Sequence, residues 1–523
     1  MGSSEPILVA GRWLPAAAVR TYRAVDPVTG RPRDRVWPVS GWSDVEQALE
    51  AAVAAARDLA ALPAGRLAAF LERYADRLAG KAGELVSLAH AETGLAITPR
   101  LADVELPRTL DQLRQAAASA REGTWRMATI DHSKNIRAAA CGIGPVVILP
   151  PANFPLAYGA VTGGDFAAAI AGGNPVIAKA HEGHPSVAEC AAVEAVAAVE
   201  ETGLPPATVQ LLHGLEPVDG ERLVADPRVG GTGFTGGQAA GERLYRAATA
   251  AGRVIWVEMG SVNPVVLLPG ALAERAAGIA DELTASVTGS AGQFCTKPGV
   301  VFLVGDAAGR SFVDAVADRF AAIGPQVLLG SAACERLVAA LTRLEGAGAR
   351  VRAGTAAAAG ASSHAPVLLE VAGRELLADP ESFLVEAFGN ATLLVVCESL
   401  AELTRGVCCV RGSLGASCYV ARTGGDDAAF AALAPLLVAR SGRVVENRMP
   451  TGLGVVPAMQ HGGPWPSAGP PFFSAVGFPW TILRFARRVC YDGWTEARLP
   501  EIVRDAPPEG RPWRYVDGAW TRG

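Results

Sequence analysis

Apolar and polar positions follow two different periods along the chain. In residues 45–60 and again in 67–88, alanine, leucine and valine recur at helical spacing with Arg, Asp and Glu between them, which predicts amphipathic helices. From Gly144 onward, short apolar runs alternate with longer alanine-rich ones. Residues 146–149 predict a strand, and residues 156–171 a helix with Pro155 at its first position and Gly172-Gly173-Asn174-Pro175 at its end. The unit then repeats: strands at 176–179, 209–212, 229–234 and 254–258, with helices at 185–201 and 238–251. Short buried strands separated by such helices predict a parallel sheet covered on both faces, whose ligands bind beyond the carboxyl ends of the strands. Lys179, Phe234-Thr235-Gly236 and Glu258 all fall at such ends.

Further along, the pattern predicts a helix at 272–292, a turn-rich segment around Cys295, a strand at 300–304 and a second α/β unit through Val410. Residues 346–363, rich in Gly and Ala, read as an exposed connection. The polar segment 124–137 reads as a hairpin leaving its domain. Residues 500–523 form a proline-rich, charged tail with Trp513, Tyr515 and Trp520 as docking anchors.

A length of 523 residues suggests three or four domains, or two large ones with an arm. With 50% hydrophobic and 19% charged residues, the chain is not disordered. A net charge of −5 without any Lys/Arg block argues against a nucleic-acid partner or a polybasic membrane anchor. Residues 138–164 are long enough to span a bilayer, but Pro145, Pro150, Pro151 and Pro155 break them. No signal peptide is written between Met1 and Trp13. Nine cysteines without CxxC spacing support neither a disulfide framework nor a zinc site, so reduced thiols in a cytoplasmic protein are expected, with no metal.

Several residues carry chemistry. Gly231-Thr232-Gly233-Phe234-Thr235-Gly236 matches G-x-G-x-x-G between a strand and a helix, either a pyrophosphate cradle or a plain tight turn. Cys295 lies in a turn rather than in an apolar stripe, which suits a nucleophile as well as a structural thiol, and Lys297 is placed to favour a thiolate. Glu258 ends an apolar strand and reads as a general base or as an ordinary capping or salt-bridging carboxylate. Asn153, before Phe154-Pro155, reads as a helix N-cap or an oxyanion-stabilising amide.

Taken together, Asn153-Phe154-Pro155, Lys179, Phe234-Thr235-Gly236, Glu258-Met259-Gly260, Gly292-Gln293-Phe294-Cys295 and Glu386-Ala387-Phe388-Gly389 occur in an order and spacing that resemble the aldehyde dehydrogenase superfamily. The resemblance covers nearly the whole chain. Arg108-Thr109 with Gln112-Leu113-Arg114, Ser261 with Asn263-Pro264, His461-Gly462-Gly463-Pro464, and the endings Arg487-Arg488-Val489-Cys490-Tyr491 and Trp513-Arg514-Tyr515-Val516-Asp517-Gly518 resemble its α-ketoglutaric semialdehyde dehydrogenase branch.

The resemblance implies an α/β fold with a Rossmann-type cofactor domain (1–123 and 145–258), an α/β catalytic domain (259–482), and a small β arm with the C-terminal tail (124–144 and 483–523) that joins subunits into a homodimer or homotetramer. It implies that Cys295 attacks the aldehyde, that Asn153 and the Cys295 backbone N–H hold the oxyanion, and that Glu258 activates water against a thioester. Lys179 and Glu182 would contact the adenosine ribose, Gly236, Gly237 and Gly241 the pyrophosphate beside Phe234 and Thr235, and Glu386 and Phe388 the nicotinamide end. Glu182, which repels a 2′-phosphate, favours NAD over NADP. A short carboxylate-bearing aldehyde would be read by Arg108 rather than Arg114, with Phe154, the Gly462-Gly463 backbone and Trp465 completing the wall.

Three departures stand out from the family pattern: Pro150-Pro151-Ala152 before Asn153, Gly237 in place of a hydroxyl residue, and Asn390 in place of a proline. Two rivals remain open at this level. One is a CoA-acylating relative, which generally lacks a glutamate at the Glu258 position; the other is a non-catalytic structural or binding relative, disfavoured by intact Cys295, Glu258 and Asn153.

Overall fold

The computed structural model describes residues 4–472 and 474–522, with residues 1–3, 473 and 523 outside the description. Two α/β layers and a five-stranded sheet form the main body, with two smaller sheets of three and two strands beside them. The first sheet has eight strands, in the order Arg12–Leu14, Ile7–Val9, Val209–Leu212, Val176–Lys179, Val146–Leu149, Gly231–Thr235, Val254–Glu258 and Ala468–Gly469. Its five central strands are parallel. Numbered in chain order among themselves they run 3-2-1-4-5, so the order reverses between Val146–Leu149 and Gly231–Thr235. That reversal opens a crevice beyond the strands' carboxyl ends.

Alternation along each strand feeds both faces. Val146 and Ile148 enter one core with the helices Ala64–Gly80, Leu106–Glu122 and Pro185–Thr202; Val147 and Leu149 enter another with Trp42–Ala60 and Gln238–Ala250. The second sheet repeats the device: Val266 and Phe302 face one core, Val265 and Val301 the other. It has seven strands, in the order Arg350–Ala353, Val367–Ala372, Ala391–Cys397, Val300–Val304, Pro264–Leu267, Ser413–Tyr419 and Ser441–Glu446. A third, five-stranded sheet joins Ala486–Asp492, Ile136–Gly142, Thr129–Asp131, Arg514–Val516 and Ala519–Thr521. Its longest pairing runs antiparallel over seven residues, from Ala486 opposite Gly142 to Asp492 opposite Ile136. The tail therefore docks as strands, with Trp513, Tyr515 and Trp520 on the surface.

Local propensity loses in four places. Residues 156–163 are turns, and the helix spans only Gly164–Ala171. The cause is nonlocal: Glu105 accepts the N–H groups of Leu156 (2.8 Å) and Ala157 (3.0 Å), while the Thr162 hydroxyl takes Leu156 O (2.5 Å). Residues 67–88 divide at Lys81 into Ala64–Gly80 and Ala82–Thr93, because Lys81 leaves the helical region (φ −106°, ψ 14°). The connection 346–363 contains the edge strand Arg350–Ala353, which pairs antiparallel to Val367–Ala372. Ala468–Gly469, far from the first sheet in sequence, closes that sheet beside Glu258.

Asn174 ties this architecture together. It is fully buried, and its Oδ1 accepts from the N–H groups of Ile143 (2.7 Å) and Gly144 (3.1 Å). Its Nδ2 donates to Ala169 O and Phe485 O, both at 2.9 Å. One amide thus joins the end of a core helix to both segments leading into the third sheet. Asn174→Ala removes four hydrogen bonds to backbone groups, two of them part-buried, and is expected to cost ~3 kcal/mol, measured by urea unfolding. A loss below ~1 kcal/mol would mean that solvent or rearrangement replaces these bonds.

Candidate active site

The crevice beyond Leu149 holds a tight loop with Asn153 and Phe154. Asn153, 8% exposed, is gripped at both ends: its Nδ2 donates to Gln293 O (2.9 Å) and its carbonyl accepts from Arg100 Nη2 (2.9 Å). Arg100 is itself ion-paired with fully buried Glu105, the residue that takes the Leu156 and Ala157 N–H groups. Asn153 is therefore not a helix cap, since the helix starts eleven residues later. The Pro150-Pro151 departure is accommodated, with His184 Nε2 3.0 Å from Pro151 O.

Cys295 enters from the second layer, in the turn that precedes Val300–Val304. Its carbonyl accepts from Asn263 Nδ2 (2.8 Å), which also donates to Lys297 O (3.0 Å). Asn263 sits at φ 43°, a left-handed conformation that asparagine tolerates better than most residues. The thiol lies 3.5 Å from His461 Nε2, and the same nitrogen lies 3.1 Å from Glu258 Oε1. Glu258 and His461 are 1% and 2% exposed. Burial pushes the Cys295 thiol well above its ordinary range; the neighbouring Glu258 carboxylate pushes it further, and Arg108 opposes them. These surroundings favour the neutral thiol, and His461 and Glu258 stand near it as proton acceptors.

A cavity of about 840 Å³ leads to this thiol. Phe154, Tyr158, Phe294, Leu453 and Val455 supply apolar wall, and Arg100 and Arg108 supply charge. Their charges are used differently. Arg100 is spent on Glu105, whereas Arg108 bonds two neutral groups, Tyr158 Oη (3.0 Å) and Gln112 Oε1 (3.2 Å). Arg114 points elsewhere, to an exposed pair with Asp76.

In the first sheet, Lys179 ends the strand Val176–Lys179 and Glu182 follows it, and burial pushes the Lys179 ammonium down. A dinucleotide fits the residues present. Gly237 caps the helix Gln238–Ala250, with no atom within 4 Å of where a Cβ would stand, so the helix N-terminus opens on free space. Gly236 and Gly241 differ: a Cβ would meet the Phe234 ring at 2.7 Å in one and Met259 Sδ at 2.6 Å in the other. The absence of a Cβ at Gly241 thus lets the helix pack closely on Met259 and Phe234. Glu386 accepts from the Ser261 N–H (3.2 Å), and burial raises its carboxyl; Phe388 is half-buried beside it.

Other expectations fail on geometry. Lys297 does not face the thiol: its Nζ donates to Ala387 O (3.1 Å) and Ala391 O (2.5 Å), bracing the Glu386–Phe388 loop, and burial lowers it to about 8. Gly462 and Gly463 pack against Gly442 and Ser413, outside the cavity wall. Trp465 is 45% exposed and leans on Tyr245, with ring centroids 5.1 Å apart. The residue of that segment that reaches the cavity is His461. Asn390 donates to His364 O and Gln326 Oε1, a local structural role. Sequence reasoning missed His461, Arg100 and Glu105; only the His-Gly-Gly-Pro motif carried a signal, and it was read for its backbone.

The aldehyde dehydrogenase family model matches residues 13–383. The chain is 38% identical to alpha-ketoglutaric semialdehyde dehydrogenase 2 of Azospirillum brasilense, across 96% of this chain and 97% of that one. It is 31% identical to the alpha-ketoglutaric semialdehyde dehydrogenase of Acinetobacter baylyi, across 97% of each. Among solved structures, lactaldehyde dehydrogenase from Escherichia coli superposes with a TM-score of 0.79 at 23% identity, covering 93% of this chain and 98% of that one. An NADP-dependent glyceraldehyde-3-phosphate dehydrogenase from Bacillus halodurans gives 0.78 at 19%, with coverage of 93% and 98%.

Because burial and then the Glu258 charge hold the thiol up, alkylation of Cys295 by iodoacetamide, followed by peptide mass, is expected to rise only at pH above the ordinary thiol range. Glu258→Gln removes the negative neighbour and shifts the half-rise to lower pH. An unchanged or upward-shifted profile would contradict this electrostatic account.

Proposed function

Because the chain belongs to the aldehyde dehydrogenase family and is an NAD(P)-dependent aldehyde dehydrogenase, we propose that it oxidises a short semialdehyde bearing a remote carboxylate, α-ketoglutaric semialdehyde above all. The observation that carries the reading is Arg108: a cavity-lining guanidinium whose hydrogen bonds go to neutral groups, beside the aromatic rings of Phe154 and Tyr158. Burying an unpaired carboxylate is costly, so a charged substrate requires such a partner. The names of the two similar semialdehyde dehydrogenases agree with this class.

In this reading Cys295 Sγ attacks the aldehyde carbon. The thiol proton passes to His461 Nε2, and the Glu258 carboxylate, 3.1 Å from that nitrogen, stabilises the resulting imidazolium. Asn153 is held by Gln293 O through one N–H; its second N–H, with the Cys295 backbone N–H, is the proposed donor pair for the oxyanion. The dinucleotide, when bound, supplies the hydride acceptor. Lys179 and Glu182 would hold its adenosine ribose, Gly237 and the helix N-terminus its pyrophosphate, and Glu386 and Phe388 its nicotinamide end. Glu258 then takes a proton from water that hydrolyses the Cys295 thioester. The three largest sheets support a division into a cofactor domain (1–123 and 145–258), a catalytic domain (259–482) and an arm (124–144 and 483–523) that pairs subunits in a homodimer or homotetramer. The charge balance and the cysteine pattern support a cytoplasmic enzyme.

Wild type is expected to prefer α-ketoglutaric semialdehyde to an uncharged aldehyde of like length. Arg108→Ala should raise KM for the acid ~10- to 100-fold, the worth of a charge-assisted hydrogen bond, with little change for the uncharged aldehyde. Preference for the uncharged aldehyde in wild type would overturn the substrate class. In Glu258→Gln, hydrolysis should stall after one burst of reduced cofactor; undiminished steady turnover would remove Glu258 from the mechanism. Glu182→Thr is expected to shift the NAD-to-NADP ratio of kcat/KM toward NADP, and equal or better efficiency of wild type with NADP would refute the NAD preference.

A further inference from the structure

The cysteine spacing holds no zinc motif, yet the fold brings one cysteine to a glutamate and a histidine from distant segments. A sulfur, a carboxylate oxygen and a ring nitrogen of Cys295, Glu258 and His461 all lie within 4.8 Å of one another. Tetrahedral zinc takes thiolate at ~2.3 Å, imidazole at ~2.0–2.1 Å and carboxylate at ~2.0–2.2 Å. Bonds of that length at tetrahedral angles set sulfur and nitrogen ~3.6 Å apart, and nitrogen and oxygen ~3.3 Å apart. The distances here are 3.5 Å and 3.1 Å. Two of the three ligand pairs thus stand near the separations the ion imposes, and the sulfur and the carboxylate oxygen lie within 4.8 Å of each other.

A second observation comes from Glu258 Oε2, which is buried without a hydrogen-bond partner among the described residues. Such an acceptor is costly to leave unused. Charge agrees as well: a divalent ion with one thiolate, one carboxylate and a neutral imidazole is a neutral site, the form most easily held out of water. Cys295 and His461 both line the cavity, so a fourth position faces solvent.

We propose that Cys295, Glu258 and His461 form a binding site for a soft divalent cation of the zinc class, and that its occupancy inhibits the enzyme. On binding, a metal–sulfur bond forms, the Cys295 thiol proton leaves to solvent, and the cation keeps its oxidation state. The inhibitory part rests on the reading of Cys295 as the nucleophile; the binding part stands on the three side chains alone.

The test titrates cadmium ion, a zinc analogue with a thiolate charge-transfer absorbance, into the full chain without cofactor or aldehyde. One equivalent is expected to bind, with the band lost in Cys295→Ala and the affinity lowered at least ~10-fold in both His461→Gln and Glu258→Gln. Circular dichroism confirms that each variant is folded, and either of the two latter variants suffices. In parallel, zinc ion should inhibit aldehyde oxidation by wild type, with recovery on adding a chelator. A band that survives Cys295→Ala, or equal affinity in the folded His461 and Glu258 variants, overturns the site. A cadmium band without any aldehyde turnover overturns only the reading of function, and turnover without a band overturns only the metal site.

Discussion

Glu258 ends a strand of the first sheet and Cys295 lies in a turn of the second layer, and the site depends on tying together the segments that lead out of them. Asn263 does this. It is fully buried; it donates to the carbonyls of Cys295 and Lys297 and accepts from the Ser261 hydroxyl (2.7 Å) and the Gly415 N–H (3.1 Å). Ser261 in turn accepts from the Leu414 N–H (2.9 Å). The segment leaving Glu258, the turn carrying Cys295 and the start of Ser413–Tyr419 thus share one polar knot. Buried and mutually satisfied, such a network fixes geometry far more tightly than apolar contact does.

A similar logic governs the charges. Arg100 and Glu105 neutralise each other and spend their remaining capacity on the backbone around Asn153, so their role is to position the loop. Lys297 is turned into a brace for the loop carrying Glu386. Arg108 is a cavity cation bonded to neutral partners, and Cys295 and His461, which line the same cavity, stand together with Glu258. The site separates groups that build the walls from groups left with electrostatic capacity, and the latter are the ones that can meet substrate.

Much of this was legible in the chain. Val146–Leu149, Val176–Lys179, Val209–Leu212 and Val254–Glu258 were readable because fully covered parallel strands need continuous apolar runs, and their carboxyl ends locate a crevice without further information. What was not legible depends on partners far away in sequence. The alanine-rich stretch after Pro155 reads as helix, but Glu105 and Thr162 claim its backbone. The Lys297 position beside Cys295 suggested an electrostatic role, which the carbonyls of Ala387 and Ala391 cancel. His461 lies 166 residues beyond Cys295, and no local periodicity could have paired them.

The account's central claim is that Cys295 carries the substrate covalently. The direct measurement is peptide mass analysis of the enzyme quenched in acid during turnover of α-ketoglutaric semialdehyde with NAD. The account predicts an added acyl mass on the peptide containing Cys295 and on none of the peptides carrying the other eight cysteines. Turnover without any such adduct on Cys295, or with the adduct on another cysteine, would contradict it.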